Sequence, residues 1–225
     1  MEKVRKHAKV TAILFAVFII FTIAVKYIDV KPIGPQASKV GFATLNGFVF
    51  KTIGVHDFWH SLTGCFGAIS IALALCVVAL GIAQLVIRKE LRKVDMEIIL
   101  LCGFYVLVFA FYLLFEVVEI NCRPILEDGV LEASYPSSHT MLVCCIMSTL
   151  FPILSQLFQK NGNVMKVCEI ASSVIILVTV VGRMISGVHW FTDIAGAVLL
   201  SAALIWLFYT VYDYTQLRLK GKRHF

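Results

Sequence analysis

Residues 62–87 read LTGCFGAISIALALCVVALGIAQLVI, a stretch of 26 residues without a charged side chain. A helix needs roughly 20 apolar residues to cross the hydrocarbon core of a bilayer, so this stretch predicts a membrane-spanning helix. Of the 225 residues in the chain, 60% are hydrophobic and 15% are charged, and the mean hydropathy is +0.89. One soluble core cannot bury so much apolar surface, and disorder requires the opposite composition. We therefore expect a membrane-embedded protein.

Further apolar runs of similar length predict an all-α membrane protein with six transmembrane helices. The expected spans are about Ala8–Val25, Leu62–Ile87, Met96–Val118, Thr140–Phe158, Val167–Ile185 and Asp193–Tyr212. The first run resembles a signal peptide, but no small-x-small cleavage site follows it, which favours an uncleaved anchor. Between the first two spans, Gly41–Phe50 is apolar but short and broken by glycine. It predicts a surface-lying or re-entrant segment. Residues 1–225 are expected to form a single membrane-embedded domain.

The distribution of basic residues predicts the orientation of the chain in the membrane. Of the 20 Lys and Arg residues, 14 fall in the two termini and the loops after the second and fourth spans, and six fall on the other side. Positive charge is retained in the cytoplasm, so both termini should be cytoplasmic. The net charge of +6 is then explained by the membrane, without nucleic acid as a partner. The short loops favour a prokaryotic plasma membrane.

Two polar clusters lie at or next to the predicted spans. The first consists of Asn121–Pro124 and Ser134–Thr140, and the second is residues 182–193, GRMISGVHWFTD. An Arg or Asp at the centre of a membrane helix costs roughly 2.5–3.5 kcal/mol, so such residues mark functional sites by default. The predicted topology puts both clusters on the outer face, where they can converge.

The residue types in these clusters suit phosphoryl transfer. Pro136 can start a helix, whose first turn then offers the free backbone N–H groups of Ser137, Ser138 and His139 to a phosphate. The planar guanidinium groups of Arg123 and Arg183 match phosphate oxygens. His189 and Asp193 are four residues apart, so a carboxylate can fix the tautomer of an imidazole that serves as nucleophile. His139 is then available as the acid for the leaving group. This set predicts a phosphohistidine intermediate without metal or cofactor.

Each of these residues, taken alone, also fits a purely structural role. His139 could be an interfacial histidine, Arg183 could extend its charge to the membrane surface, and Asp193 could cap a helix. Their joint occurrence favours an active site. For the remaining polar residues a structural role is favoured: a solvated acidic loop (Glu119, Glu127, Asp128, Glu132), a partly buried spectator (Cys122), and interfacial histidines without a third metal ligand (His56, His60).

The ordered motifs Arg-Pro, Pro-Ser-x-His and Arg-x5-His-x3-Asp resemble those of the type-2 phosphatidic acid phosphatase superfamily. The resemblance covers about Phe115–Ala197, the expected catalytic core. It implies that His189 is the nucleophile, that Asp193 orients it, and that His139 is the general acid and later the base. It also implies that the phosphoryl group is held by Arg123, Arg183, Ser137 and the Ser138 backbone.

The chain departs from the family pattern at three positions. Glu116 stands where the family usually has Lys, Ser138 replaces the Gly of the second motif, and Gly182 replaces the Ser before the third-motif Arg. The exchange at Glu116 puts an anion where a phosphate-binding cation is usual, so this residue is a candidate for tuning substrate choice.

The resulting expectation is an integral membrane phosphatase that hydrolyses a phospholipid phosphate or an isoprenoid (polyprenyl) diphosphate at the outer face. Two alternatives remain open. A phosphotransferase would use the same site with a hydroxyl acceptor in place of water, and a non-catalytic phospholipid-binding or transport protein would need the arginines but not two positioned histidines.

Overall fold

The computed structural model describes residues 1–158 and 161–222. Within these residues, six helical segments, one of them built from two consecutive helices, are long and apolar enough to cross a membrane, which confirms the predicted fold class. The described α-helices are α1 (Glu2–Tyr27), α2 (Ala43–Ile53), α3 (Asp57–Arg88), α4 (Met96–Val117), α5 (Ser138–Thr149), α6 (Phe151–Leu157), α7 (Gly162–Ile185) and α8 (Phe191–Lys222). Extended pairing in the same part of the chain is limited to isolated bridges.

The predicted spans are found, with longer helices at both chain ends. α1 begins at Glu2 instead of Ala8, and α8 continues to Lys222 instead of ending at Tyr212. Hydropathy marks only the lipid-facing part of a helix, whereas Lys, Arg and Glu are good helix formers that continue it into water. Lys160 and Arg223, two of the 14 basic residues on the cytoplasmic side of the predicted topology, lie outside the described residues.

Two helices, and not one, form the fourth predicted span. α5 ends at Thr149 and α6 begins at Phe151, with Pro152 in its first turn. Proline has no backbone N–H to donate to the preceding turn, so it breaks a helix interior but fits at a helix start. The span predicted over Thr140–Phe158 is therefore present, with an interruption at Leu150.

The apolar segment between the first two spans folds as α2 and lies against the start of α8. Its Asn46 is fully buried and exchanges hydrogen bonds with Thr192: Asn46 Nδ2 donates to Thr192 Oγ1 at 2.9 Å, and Thr192 N donates to Asn46 Oδ1 at 3.2 Å. Phe48, on another side of α2, is 68% exposed. The segment is therefore more than a surface anchor, because its inner side supports the beginning of α8.

α5 forms the centre of the bundle, in contact with α3, α7 and α8. At one end of the bundle, Lys3 pairs with Asp213 at 3.0 Å and Gln216 donates to Glu97 at 2.8 Å. We call this the terminal end, because α1 begins there and α8 runs into it. We call the opposite end of the bundle the site end. It contains the start of α5, the end of α7, the start of α8 and the loop 118–137 between α4 and α5.

Candidate active site

His189 and Asp193 meet where α7 gives way to α8. Asp193 is fully buried, and its carboxylate accepts hydrogen bonds from Trp190 N at 2.9 Å and from Asn121 Nδ2 at 3.3 Å. The Trp190 bond closes the first turn of α8, so Asp193 caps this helix and also lies in the candidate site. His189 Nδ1 lies 3.7 Å from Asp193 Oδ2, within ion-pair distance but too long for a hydrogen bond.

The surroundings of His189 favour its neutral form. Its side chain is almost completely buried, and this burial lowers its pKa, while the Asp193 carboxylate opposes the shift. Neither ring nitrogen has a hydrogen-bond partner among the residues that the structure describes. His189 lines a narrow cleft together with Arg123, Ser138 and Glu116. An imidazole with a free nitrogen at a cleft is suited to nucleophilic attack.

The start of α5 connects this cleft to the rest of the site. Ser137 N donates to the carbonyl oxygen of Asp193 at 3.1 Å, and Ser137 Oγ accepts a bond from Thr140 Oγ1 at 3.1 Å. Ser137 therefore ties α5 to α8, and its N–H is already used. The N–H groups of Ser138 and His139, in the first turn of α5, have no intrahelical acceptor and remain available to an anion.

Each of the two arginines has a partner. Arg123 pairs through Nη1 with Glu127 at 2.5 Å and through Nε with Glu132 at 3.1 Å. The buried Arg183, 1% exposed, places Nη1 at 3.1 Å from His60 Nδ1. Glu127 and Glu132, which were expected only to be solvated, thus bind Arg123. Glu119 and Asp128, of the same acidic loop, are exposed as expected.

His139 lies in a second, larger space. A cavity of about 650 Å³ between α3, α4 and α5 has a mainly apolar lining, with Ser138 and His139 among the lining residues. Ser138 also lines the cleft of His189, so the two spaces adjoin at the start of α5. An apolar space that meets polar groups at one place can accommodate an amphipathic molecule.

Glu116 is exposed and lines the cleft with Arg123 and His189. It is therefore placed to influence which charged molecules can bind in the cleft.

In the described part of the chain, no group of three or more His, Cys, Asp or Glu residues is arranged to hold a metal ion.

Three polar residues at the site were given no role there from the sequence, although Asn121 belongs to the first polar cluster. Asn46 and Asn121 are fully buried amides that hold Thr192 and Asp193, and a buried amide in a membrane protein is a signal of such a role. His60 contacts Arg183 across a separation of 123 residues, and no spacing rule connects positions so far apart.

The chain is similar to known membrane proteins in sequence and in fold. The family model described as the PAP2 superfamily matches residues 77–217. The fold is similar to the crystal structure of the first transmembrane PAP2-type phosphatidylglycerolphosphate phosphatase from Bacillus subtilis, with 19% sequence identity, a TM-score of 0.59, and coverage of 91% of this chain and 96% of that chain. At this identity the similarity concerns the fold. No curated protein matches the chain significantly.

Proposed function

The chain belongs to the PAP2 superfamily, and from that premise we propose that it is an integral membrane lipid phosphatase that works through a phosphohistidine. The substrate is a phospholipid phosphate or an isoprenoid diphosphate. The observation that carries the proposal is the apolar cavity of about 650 Å³ that adjoins the His189 cleft at Ser138. A lipid tail in this cavity would bring its phosphate to the histidines and arginines.

In the first step, the Nε2 lone pair of His189 attacks the phosphorus atom. The N–P bond forms, the bond from phosphorus to the lipid oxygen breaks, and His139 gives its proton to the departing oxygen. Asp193 faces Nδ1 of His189, 3.7 Å away, and favours the tautomer that carries the proton there. The products are phosphohistidine and a lipid alcohol, or a lipid monophosphate from a diphosphate.

In the second step, neutral His139 takes a proton from water, and the water oxygen attacks phosphorus. The N–P bond breaks and inorganic phosphate leaves, which restores His189. Charge on the transferred group is met by Arg123, Arg183 and the N–H groups at the start of α5, which are the groups that metal-independent catalysis requires. Phosphate has to displace Glu127 from Arg123 in order to bind there.

The site faces the outside of the cell in this proposal, with both termini in the cytoplasm. Its support is the excess of Lys and Arg in the two termini and in the sequence between the second and third and the fourth and fifth predicted spans, 14 of 20 in the chain. A lipid in the outer leaflet would enter laterally, because the cavity lies between the membrane-spanning helices α3 and α4.

The test uses purified full-length protein in mixed micelles with a panel of lipid phosphates and diphosphates. We expect release of inorganic phosphate by the wild type and none by His189→Ala. A 32P-labelled substrate should leave an acid-labile, alkali-stable label on the wild type only. Transfer of label to a lipid hydroxyl without phosphate release would identify a phosphotransferase. Binding of these lipids without any turnover would identify a non-catalytic protein, and either result would overturn the proposal.

A further inference from the structure

His60 is the first residue of interest outside the three motifs. It lies in the first turns of α3, before residue 77, where the family match begins. Its Nδ1 is 3.1 Å from Nη1 of Arg183. A guanidinium can only donate hydrogen bonds, so Nδ1 has to be the acceptor and the ring proton has to be on Nε2. The contact therefore sets the tautomer of His60 as well as the position of Arg183.

The other nitrogen of His60 is linked to Arg123 by the carboxylate of Glu127. His60 Nε2 lies 3.6 Å from Glu127 Oε1, and the other oxygen of Glu127 pairs with Arg123 Nη1. Arg183, His60, Glu127 and Arg123 thus form one chain of contacts between α7, α3 and the loop 118–137.

The packing of α3 on α7 explains how His60 reaches Arg183. A Cβ atom on residue 182 would lie 2.7 Å from Thr63 Cγ2 and 2.8 Å from Trp59 Cε3, so only glycine fits there without a shift of these side chains or of α3. Thr63 and Trp59 flank His60 on α3. Gly182, one of the departures from the family pattern, therefore permits the close approach that brings His60 beside Arg183.

We propose that His60 is a positioning residue that holds Arg183 for binding the phosphoryl group. This inference rests on the proposed function of the site. Arg183 Nη1 is occupied by His60, while Arg183 Nε, buried as well, has no acceptor within the described residues. A buried guanidinium N–H without a partner is costly, and a phosphate oxygen would satisfy it. His60 fixes the guanidinium at Nη1 and leaves the Nε donor free to bind the substrate.

The test compares His60→Leu, which removes the acceptor, with His60→Asn, whose amide oxygen can occupy the place of Nδ1. The readout is the dissociation constant for inorganic phosphate, measured by calorimetry on the purified full-length protein, together with kcat and KM for a lipid phosphate. We expect His60→Leu to weaken phosphate binding by about tenfold, the loss of one hydrogen bond to a charged group. His60→Asn should stay within about threefold of the wild type.

The matched control is His56→Leu, one helical turn earlier, because His56 contacts the carbonyl oxygen of Ile53 and not an arginine. It should leave phosphate binding unchanged. Thermal unfolding of each variant identifies any loss of folding. If His60→Leu weakens binding no more than His56→Leu, or if His60→Asn is as weak as His60→Leu, the proposal is wrong.

A double-mutant cycle separates positioning from simple packing. In an Arg183→Lys background, which keeps the charge but not the planar guanidinium, His60→Leu should have almost no further effect on phosphate binding. Equal losses in both backgrounds would mean that His60 only packs α3, and would overturn the inference. A wild type that binds phosphate but releases none from lipids refutes the proposed function alone. A wild type that releases phosphate from lipids while His60→Leu leaves both phosphate affinity and KM unchanged refutes the inference alone.

Discussion

At the level of single residues, burial decides the pH range in which His189 can act. A neutral imidazole is required for attack, and burial lowers the pKa of His189 below its usual 6.5. A lowered pKa keeps the ring neutral at pH values where an exposed histidine would be protonated. We therefore expect the acid limb of the kcat/KM profile to have an apparent pKa below 6.5. Rates measured from about pH 4.5 to 8 at constant ionic strength test this, and a limb centred above 6.5 would contradict it.

His139 is expected to protonate the oxygen atom that leaves phosphorus, whereas His189 is expected to attack the phosphorus atom. Its role as an acid matters only when the leaving group needs a proton. His139→Ala should therefore reduce kcat/KM for an alkyl phosphate by about 100-fold or more, and kcat/KM for p-nitrophenyl phosphate much less, because kcat/KM reports the first step and not the later attack of water. Both substrates are measured on the same preparation, with His189→Ala as the variant that loses both. Equal losses for His139→Ala on the two substrates would exclude its role as the acid.

Glu116 lines the cleft beside Arg123 and His189, so it should affect highly charged substrates most. A carboxylate about 4 Å from a phosphate repels it by roughly 4 kcal/mol per pair of unit charges at an effective dielectric near 20. We expect Glu116→Lys to raise kcat/KM for a diphosphate more than for a monophosphate, by about tenfold for each 1.4 kcal/mol recovered. If both substrates respond equally and Glu116→Gln changes nothing, Glu116 is a bystander.

At the level of helices, the contact between α3 and α7 depends on Gly182. A serine there, as in the usual family pattern, would meet the side chains of Thr63 and Trp59 on either side of His60, and α3 or these side chains would have to shift. Overpacking of this kind costs about 1–3 kcal/mol. Gly182→Ser should therefore lower the unfolding temperature and weaken phosphate binding, because His60 moves away from Arg183.

The control for this change lies on α3 itself. A Cβ on Gly64 would meet nothing within 4 Å, so Gly64→Ser should leave both the unfolding temperature and phosphate binding nearly unchanged. If Gly182→Ser behaves like Gly64→Ser, the close packing of α3 on α7 is not needed for the position of His60.

The helices also show which features a sequence can predict. Apolar runs reveal spans because both the lipid-facing and the core-facing positions of a membrane helix are mostly apolar. The spacing of His189 and Asp193 is informative because the two residues, four apart, lie on either side of the start of α8. The break at Pro152 and the inner side of α2 depend on tertiary packing. A hydropathy pattern does not distinguish Asn46 facing Thr192 from an amide at a membrane surface.

At the level of the whole molecule, the site also divides into residues that the sequence predicts and contacts that it does not predict. Arg123, Arg183, Ser138, His139 and His189 follow from residue type and order, which a bundle of alternating helices brings to one end. The contact of His60 with Arg183 joins α3 to α7, and the Glu127 contact joins the loop 118–137 to both. Such contacts depend on interhelical distances, which residues like Gly182 determine and which no local pattern contains.

The orientation of the bundle is the remaining property of the whole molecule, and proteolysis can test it. Lys39, in the loop between α1 and α2, is exposed at the site end, whereas Lys89, in the connection between α3 and α4, is exposed at the terminal end. Because basic loops are retained in the cytoplasm, trypsin added to intact right-side-out cells should cut at Lys39 and spare Lys89. In inside-out vesicles the pattern should reverse. Mass spectrometry of the fragments identifies the loop in which each cut was made, and disruption of the membrane with detergent shows that both loops can be cut. Cleavage at Lys89 in intact cells would place the His189 cleft in the cytoplasm, so that substrates would have to come from the inner leaflet.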